Sequence, residues 1–358
     1  MATYKEMATN LRNSVITDFP GEYKIVDELK QGLTDADIRS GIKAFSDLLI
    51  RLFDVLAQNP DADETLDRSK VKTTIHTDIR NSLILLYGIG LCGSYNSKSE
   101  SIIVDGSALN KIFRKKYGSK PERYLKLLRD AGLTFSVDIS EKSFNLTKAK
   151  DLIVQYPDAK YTLAGLKAMA QAAAKYNDNI IMIFARCDYN ALEMPKKLIL
   201  NIHEVAKFLP NMFKQYFIDL HNLLISSNCK HETKNSMEDC VFLYDSKTHK
   251  ARIFSIRISL SGLYVKMNSK LITTQENMLS DAPAIIKEAV VKSHNCVKAV
   301  DPDACNPNCK GKLYQFFLDG TEYTKCRHLC FYLPVDNTAE REYIMEWLQK
   351  ELVKVGIA

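Results

Sequence analysis

Apolar residues recur at intervals of three and four through much of the first half of the chain, the period of a helix with one buried face. Ile38, Ile42, Phe45, Leu48, Leu49, Leu52, Phe53 and Leu56 form one such stripe, with Thr34 as its N-cap and Asp37 in its first turn. The pattern predicts a helical region over residues 3–58, then an acidic, aperiodic loop over 59–69. A second helical block covers 71–92. Within it Gly88-Ile89-Gly90 reads as close helix packing, and His76, Asp78 and Arg80 read as surface polar positions. Ile102, Ile103 and Val104 make a short β-branched run. A helix from Ser107 to Tyr117 is closed by Gly118, and another opens at Pro121 and stops at Gly132. Leu133–Ile139 and Ser143–Leu146 read as strands around the polar turn 140–142. An alanine-rich helix follows over 161–176, and the apolar run Ile180–Ala185 reads as a buried strand.

Past a boundary near residues 190–208, marked by Pro195, the texture changes. Met212, Phe213, Tyr216, Phe217, Leu220, Leu223 and Leu224 define an amphipathic helix. Phe254, Ile256, Ile258 and Leu260 alternate with Ser255, Arg257 and Ser259, as in a half-buried strand. Ile285, Ile286, Ala289 and Val290 mark a helix, Leu313–Leu333 a hairpin turning at Asp319-Gly320, and Tyr343, Ile344, Trp347, Leu348 and Leu352 a last helix. The order helix, hairpin, helix, hairpin, helix predicts a four-stranded antiparallel sheet with helices on one face. The fold class is α+β. Residues 1–205 form a helical region and residues 206–358 a second domain.

Between residues 71 and 147 the order helix, strand, helix, helix, hairpin is that of a winged helix, a variant of the helix-turn-helix. The stretch YLKLLRDAGL (124–133), followed by a hairpin, resembles the third helix and wing of that family. In the second half, FFLDGTEYTKC (316–326), an apolar strand and the helix EREYIMEWLQKEL (340–352) resemble the YdhG/GyrI-like group of small α+β domains, here among uncharacterised bacterial proteins. That resemblance implies a fold, small-molecule binding, and in some members attachment to a DNA-binding domain. It transfers no ligand-contacting residue.

Charge sharpens the first of these readings. The 358-residue chain carries +6, which alone demands no nucleic acid. Between Ser107 and Gly132, however, eight cations (Lys111, Arg114, Lys115, Lys116, Lys120, Arg123, Lys126 and Arg129) face only Glu122 and Asp130, so this segment alone carries the net charge of the whole chain. Lys120, Arg123, Lys126 and Arg129 are the candidate DNA contacts on the third helix. The competing reading is a solvated helix face.

Nine cysteines, an odd number, and no apolar leader or stretch near 20 apolar residues predict a cytoplasmic chain with free thiols or a metal site. Five cysteines fall between 296 and 330, beside His294 and His328. Cys305 and Cys309 flank the turn Asn306-Pro307-Asn308. Cys326 and Cys330 on one strand would lie about 13 Å apart. The best zinc set is therefore Cys296, Cys305, Cys309 and Cys326, a closed structural site if filled. The alternative is small apolar packing. Cys187, between Arg186 and Asp188, reads as an inert thiol more readily than a nucleophile. Tyr244, Tyr264, Tyr314, Tyr323 and Tyr332 accompany the strands and are candidate lining for a ligand pocket. No phosphate loop, dinucleotide fingerprint or His-Glu-x-x-His occurs. The expected function is a ligand-responsive DNA-binding regulator with DNA and a small-molecule effector as partners. The alternatives are a hydrolase-like enzyme using the C-terminal pocket and a protein-interaction module.

Overall fold

The computed structural model describes residues 12, 22–58, 68–117, 121–139, 145–176, 180–193, 202–207, 209, 211–235, 239–248, 252–259, 262–268, 279–296, 313–326, 331–335, 337–354 and 356. It is a mixed α+β chain. It divides into two compact units, one within Met1–Glu204, the other within Val205–Asn235, Asp239–Ser259 and Leu263–Ala358. Among the described residues no helix is long and apolar enough to cross a membrane.

In the first unit helix α1 (Asp35–Ala57) begins where Thr34 caps it, its side chain accepting the Asp37 N–H. The predicted stripe is its buried face, with Ile38, Ile42, Phe45, Leu48 and Leu49 fully covered. Helical structure does not extend back through residues 22–33: only Asp27–Leu29 forms a single 3-10 turn there, and residues 3–11 and 13–21 lie outside the described residues. Helix α2 (Arg68–Cys92) leads into strands β1 (Ser94–Asn96) and β2 (Ser101–Val104), then helices α3 (Gly106–Tyr117) and α4 (Glu122–Asp130). Strands β3 (Thr134–Phe135) and β4 (Leu152–Gln155) complete an antiparallel sheet in the order β1-β2-β4-β3. The returning strand is β4, not the expected 143–146. Leu146 instead lies in a 3-10 turn, which Asn145 caps through its side chain, and residues 143 and 144 lie outside the described residues.

Helix α5 (Thr162–Ala174) is the hub of this unit. It is apolar on most sides, and it is buried from Leu163 to Leu166 and again from Ala168 to Ala170. Its neighbours approach so closely that only glycine fits. A Cβ on Gly165 would lie 2.2 Å from the Gly41 carbonyl oxygen of α1, and one on Gly90 of α2 would lie 2.7 Å from Ala170 Cβ. Gly88 faces the other way, against Leu109 and Ile112 of α3, so the two glycines of α2 serve two different crossings. Residues Ile180–Ala185, expected as a strand, form a six-residue helix, α6. An apolar run this short carries no period that separates the two forms, and Phe184 packs against Phe45 and Tyr87 in a helical core.

The second unit opens with α7 (Asn211–Ser226) and continues as an antiparallel meander of β5 (Cys229–Asn235), β6 (Asp239–Ser246), β7 (Arg252–Ser259) and β8 (Gly262–Met267). After α8 (Ala284–Val291) come β9 (Leu313–Leu318), β10 (Thr321–Cys326), β11 (Tyr332–Pro334) and α9 (Thr338–Lys354). The sheet has five strands in the order β11-β8-β7-β6-β5, and β9 and β10 form a separate two-stranded ladder. The expected four-stranded sheet is corrected on both counts. Helices cover one face of the larger sheet: Phe217 of α7 meets Phe242 at 5.2 Å, and Trp347 of α9 meets Phe331, just before β11, at 5.8 Å. Strand β5 is an outer strand of that sheet.

Gly165→Ala is expected to lower the stability of the first unit by about 1–3 kcal/mol, because the added methyl meets backbone that cannot yield. A denaturation midpoint equal to that of the parent chain would show that the crossing can relax.

Candidate functional site

From α2 onward the chain runs helix, strand, helix, helix, strand, strand, with β2, β4 and β3 antiparallel, β4 in the middle and β1 adding one strand beside β2. In that connectivity α4 is the third helix. Its apolar side, Tyr124, Leu125, Leu127 and Leu128, is buried, which leaves Arg123, Lys126 and Arg129 exposed at three-residue intervals along one stripe. The helix stops abruptly. Gly132 takes φ +109°, Leu133 N–H bonds back to the Leu128 carbonyl and Gly132 N–H to that of Arg129. Both bonds satisfy carbonyls that would otherwise be orphaned.

The three stripe cations are not equivalent. Arg123 Nη2 donates to Asp78 Oδ2 at 2.8 Å, while the Asp78 side chain is only 3% exposed. Asp78 lies on α2, so this pair ties the third helix to the first. Burial pushes the Asp78 carboxyl above its ordinary range, and Arg123 pulls it back toward the charged form. The reading of Asp78 as a surface position is therefore corrected. Its neighbours Asn81 and Ser82 are also buried, so this part of α2 is enclosed on more than its apolar stripe. Lys126 has no carboxylate partner among the described residues, and Arg129 Nε lies 3.9 Å from Asp130. Lys111, on α3, is exposed. Lys120 and the side chains of Arg114, Lys115 and Lys116 lie outside the described residues.

Of the proposed zinc ligands, Cys296 and Cys326 are described and buried, and Cys305 and Cys309 lie outside the described residues. An antiparallel bridge pairs Asn295 with Lys325, with Cys296 N–H bonded to the Thr324 carbonyl and Cys326 N–H to that of His294. Alternation then places His294, Cys296, Thr324 and Cys326 on one face, with the two cysteines as diagonal neighbours. The other face explains why this short segment is held so firmly. The Lys325 ammonium, buried with its residue 3% exposed, donates to the carbonyls of Val291 and Ser293 and to Asn295 Oδ1, closing the C-terminal end of α8. Among the described residues no three His, Cys, Asp or Glu side chains gather as a metal site.

The remaining candidates disperse. Cys187 is buried with φ +48°, and desolvation pushes its thiol well up, the opposite of what a thiolate nucleophile needs. Tyr244 is enclosed on the helix-covered face, its hydroxyl 2.9 Å from His221 Nδ1, whereas Tyr332 is exposed with the Lys266 ammonium 5.0 Å from its ring centre. Tyr314 packs on Phe331 and Tyr323 stacks on Phe316. These tyrosines belong to different faces and different ladders. Compared with family models, curated proteins and solved structures, the chain matches none.

Arg123→Gln is expected to cost about 1–3 kcal/mol at neutral pH, the usual penalty for stranding a buried charge reduced for the exposure of the arginine. The folded-state carboxyl of Asp78 is raised, so its share of stability is complete below its unfolded pKa and is lost as pH rises through the folded value. The deficit of the variant should therefore close on acidification, once Asp78 is protonated in both proteins. Denaturation midpoints compared across pH 3 to 7 check this, and a deficit independent of pH would assign it to packing.

Proposed function

We propose that the chain is a DNA-binding regulator whose second unit senses a small molecule. The observation that carries this is an open cationic stripe on the third helix of a winged-helix connectivity. Lys126 and Arg129 are the principal contacts with DNA. Arg123 is largely committed to Asp78 and acts by holding the helix at its angle. Lys120 would extend the stripe at its N-terminal end. The resemblance of segments 316–326 and 340–352 to YdhG/GyrI-like sequences is the ground for giving the second unit an effector role.

The test is fluorescence anisotropy on duplex DNA over a range of salt. Each lost phosphate contact reduces the salt dependence of log K by about 0.9, so Lys126→Gln with Arg129→Gln should flatten the slope by about 2 and weaken binding to every sequence. Absence of binding at low salt, or an unchanged slope, would sink this reading. A protein-docking role then takes its place, favoured by Ile103 and Ile153, which face each other across β2 and β4 while 38% and 37% exposed.

In the same reading, zinc would brace the second unit through Cys296, Cys305, Cys309 and Cys326. The shared face of Cys296 and Cys326 supports two of these four ligands. Elemental analysis should return one zinc per chain, lost when Cys296 and Cys326 are both changed to serine. A metal-free parent chain would leave these thiols as packing residues.

A further inference from the structure

Strand register sets three charged residues in a row across the second sheet: Lys230 of β5 stands opposite Asp245 of β6, and Asp245 stands opposite Arg252 of β7. The carboxylate lies between two cations and is taken by one. Arg252 Nε donates to Asp245 Oδ1 at 2.5 Å and Nη2 to Oδ2 at 3.4 Å. A guanidinium presents two parallel donors that match a carboxylate, whereas an ammonium is a point charge. Lys230 is left with no carboxylate partner among the described residues. Lys247, just past the end of β6, has none either. Its backbone N–H reaches the Asn228 carbonyl at 3.4 Å, which brings the turn after β6 against the residue that precedes β5.

Lys230, Asp245, Ser246 and Lys247 line a cleft of about 360 Å3. Two lysines therefore line a concavity whose one carboxylate is already paired with an arginine. An anion that bridges two lysines on the same rim gains two charge-assisted hydrogen bonds. The volume is near the lower end of the range for small-molecule sites, enough for a phosphate group and a small organic body.

We propose that this cleft binds the dianionic phosphate of a small phosphate monoester, held by Lys230 and Lys247, with the Asp245–Arg252 pair as its wall. The site names the class of effector for the second unit and so deepens the regulator reading. Its residues are its own, however, and it stands whether or not the first unit binds DNA.

Amine labelling of the full chain, read residue by residue by mass spectrometry, tests it with inorganic phosphate as the probe and sodium chloride holding ionic strength constant. Phosphate should slow acetylation of Lys230 and Lys247 several-fold, while exposed Lys24 and Lys98 of the first unit react at unchanged rates. Lys247→Gln should abolish the protection of Lys230, and Lys247→Arg should keep part of it. Unchanged labelling of both lysines, equal protection by chloride, or protection of Lys230 that survives Lys247→Gln would overturn the site. Loss of DNA binding alongside intact phosphate protection would remove the regulator reading and leave the site standing.

Discussion

The close crossing of α5 with α1 and α2 sets the geometry of the first unit. Helix axes usually lie 8–10 Å apart, as far as their side chains require. At Gly41, Gly165 and Gly90 there is no side chain on one side of the contact, so backbone meets backbone or a methyl group. The alanine-rich α5 can then be enclosed from several directions, although its own side chains contribute little volume. Helix α2 takes part in this crossing and also leads into the small sheet and the pair α3 and α4. The hub therefore places the scaffold on which α4 is mounted, and the Asp78–Arg123 pair fixes the mount.

Arginine and lysine divide the electrostatic work in the same way in both units. Arg123 and Arg252 hold part-buried carboxylates, Asp78 and Asp245, where a planar donor set gains most. Lys126, Lys230 and Lys247 are left exposed, without a carboxylate partner among the described residues, and available to a mobile anion. Lys325 is the exception. It is a buried ammonium that spends its three donors on three neutral oxygens around a helix end, where the alignment of backbone carbonyls favours a positive charge.

Helices with one apolar stripe were legible in the sequence because burial and period coincide, as from Ile38 to Leu56. The two ends of α4, at Pro121 and Gly132, were legible for a different reason: proline at a first turn and glycine after a last one carry their own local chemistry. Strands β5 and β6 were not. Their segments CKHETKN and DCVFLYDS show no clean alternation of apolar and polar residues, since β5 is an outer strand with Lys230, Glu232 and Lys234 on one side and polar His231 and Thr233 on the other. The run at 180–185 was ambiguous in principle, because six apolar residues complete fewer than two helical turns. Among site residues, the cationic stripe followed from spacing alone. The difference between Arg123 and its neighbours depended on Asp78, 45 positions away, which no local pattern connects to it. The placing of Cys296 and Cys326 on one face likewise depended on a single long-range bridge.

Strand β5 carries a further consequence. A seven-residue outer strand offers a row of backbone donors and acceptors to any extended chain that comes near. Lys230, His231, Glu232 and Lys234 are all exposed along it, and desolvating such charges against an incoming strand is costly. The polarity that hid this strand from hydrophobic patterning thus also makes this edge of the sheet a costly place for a further strand to pair.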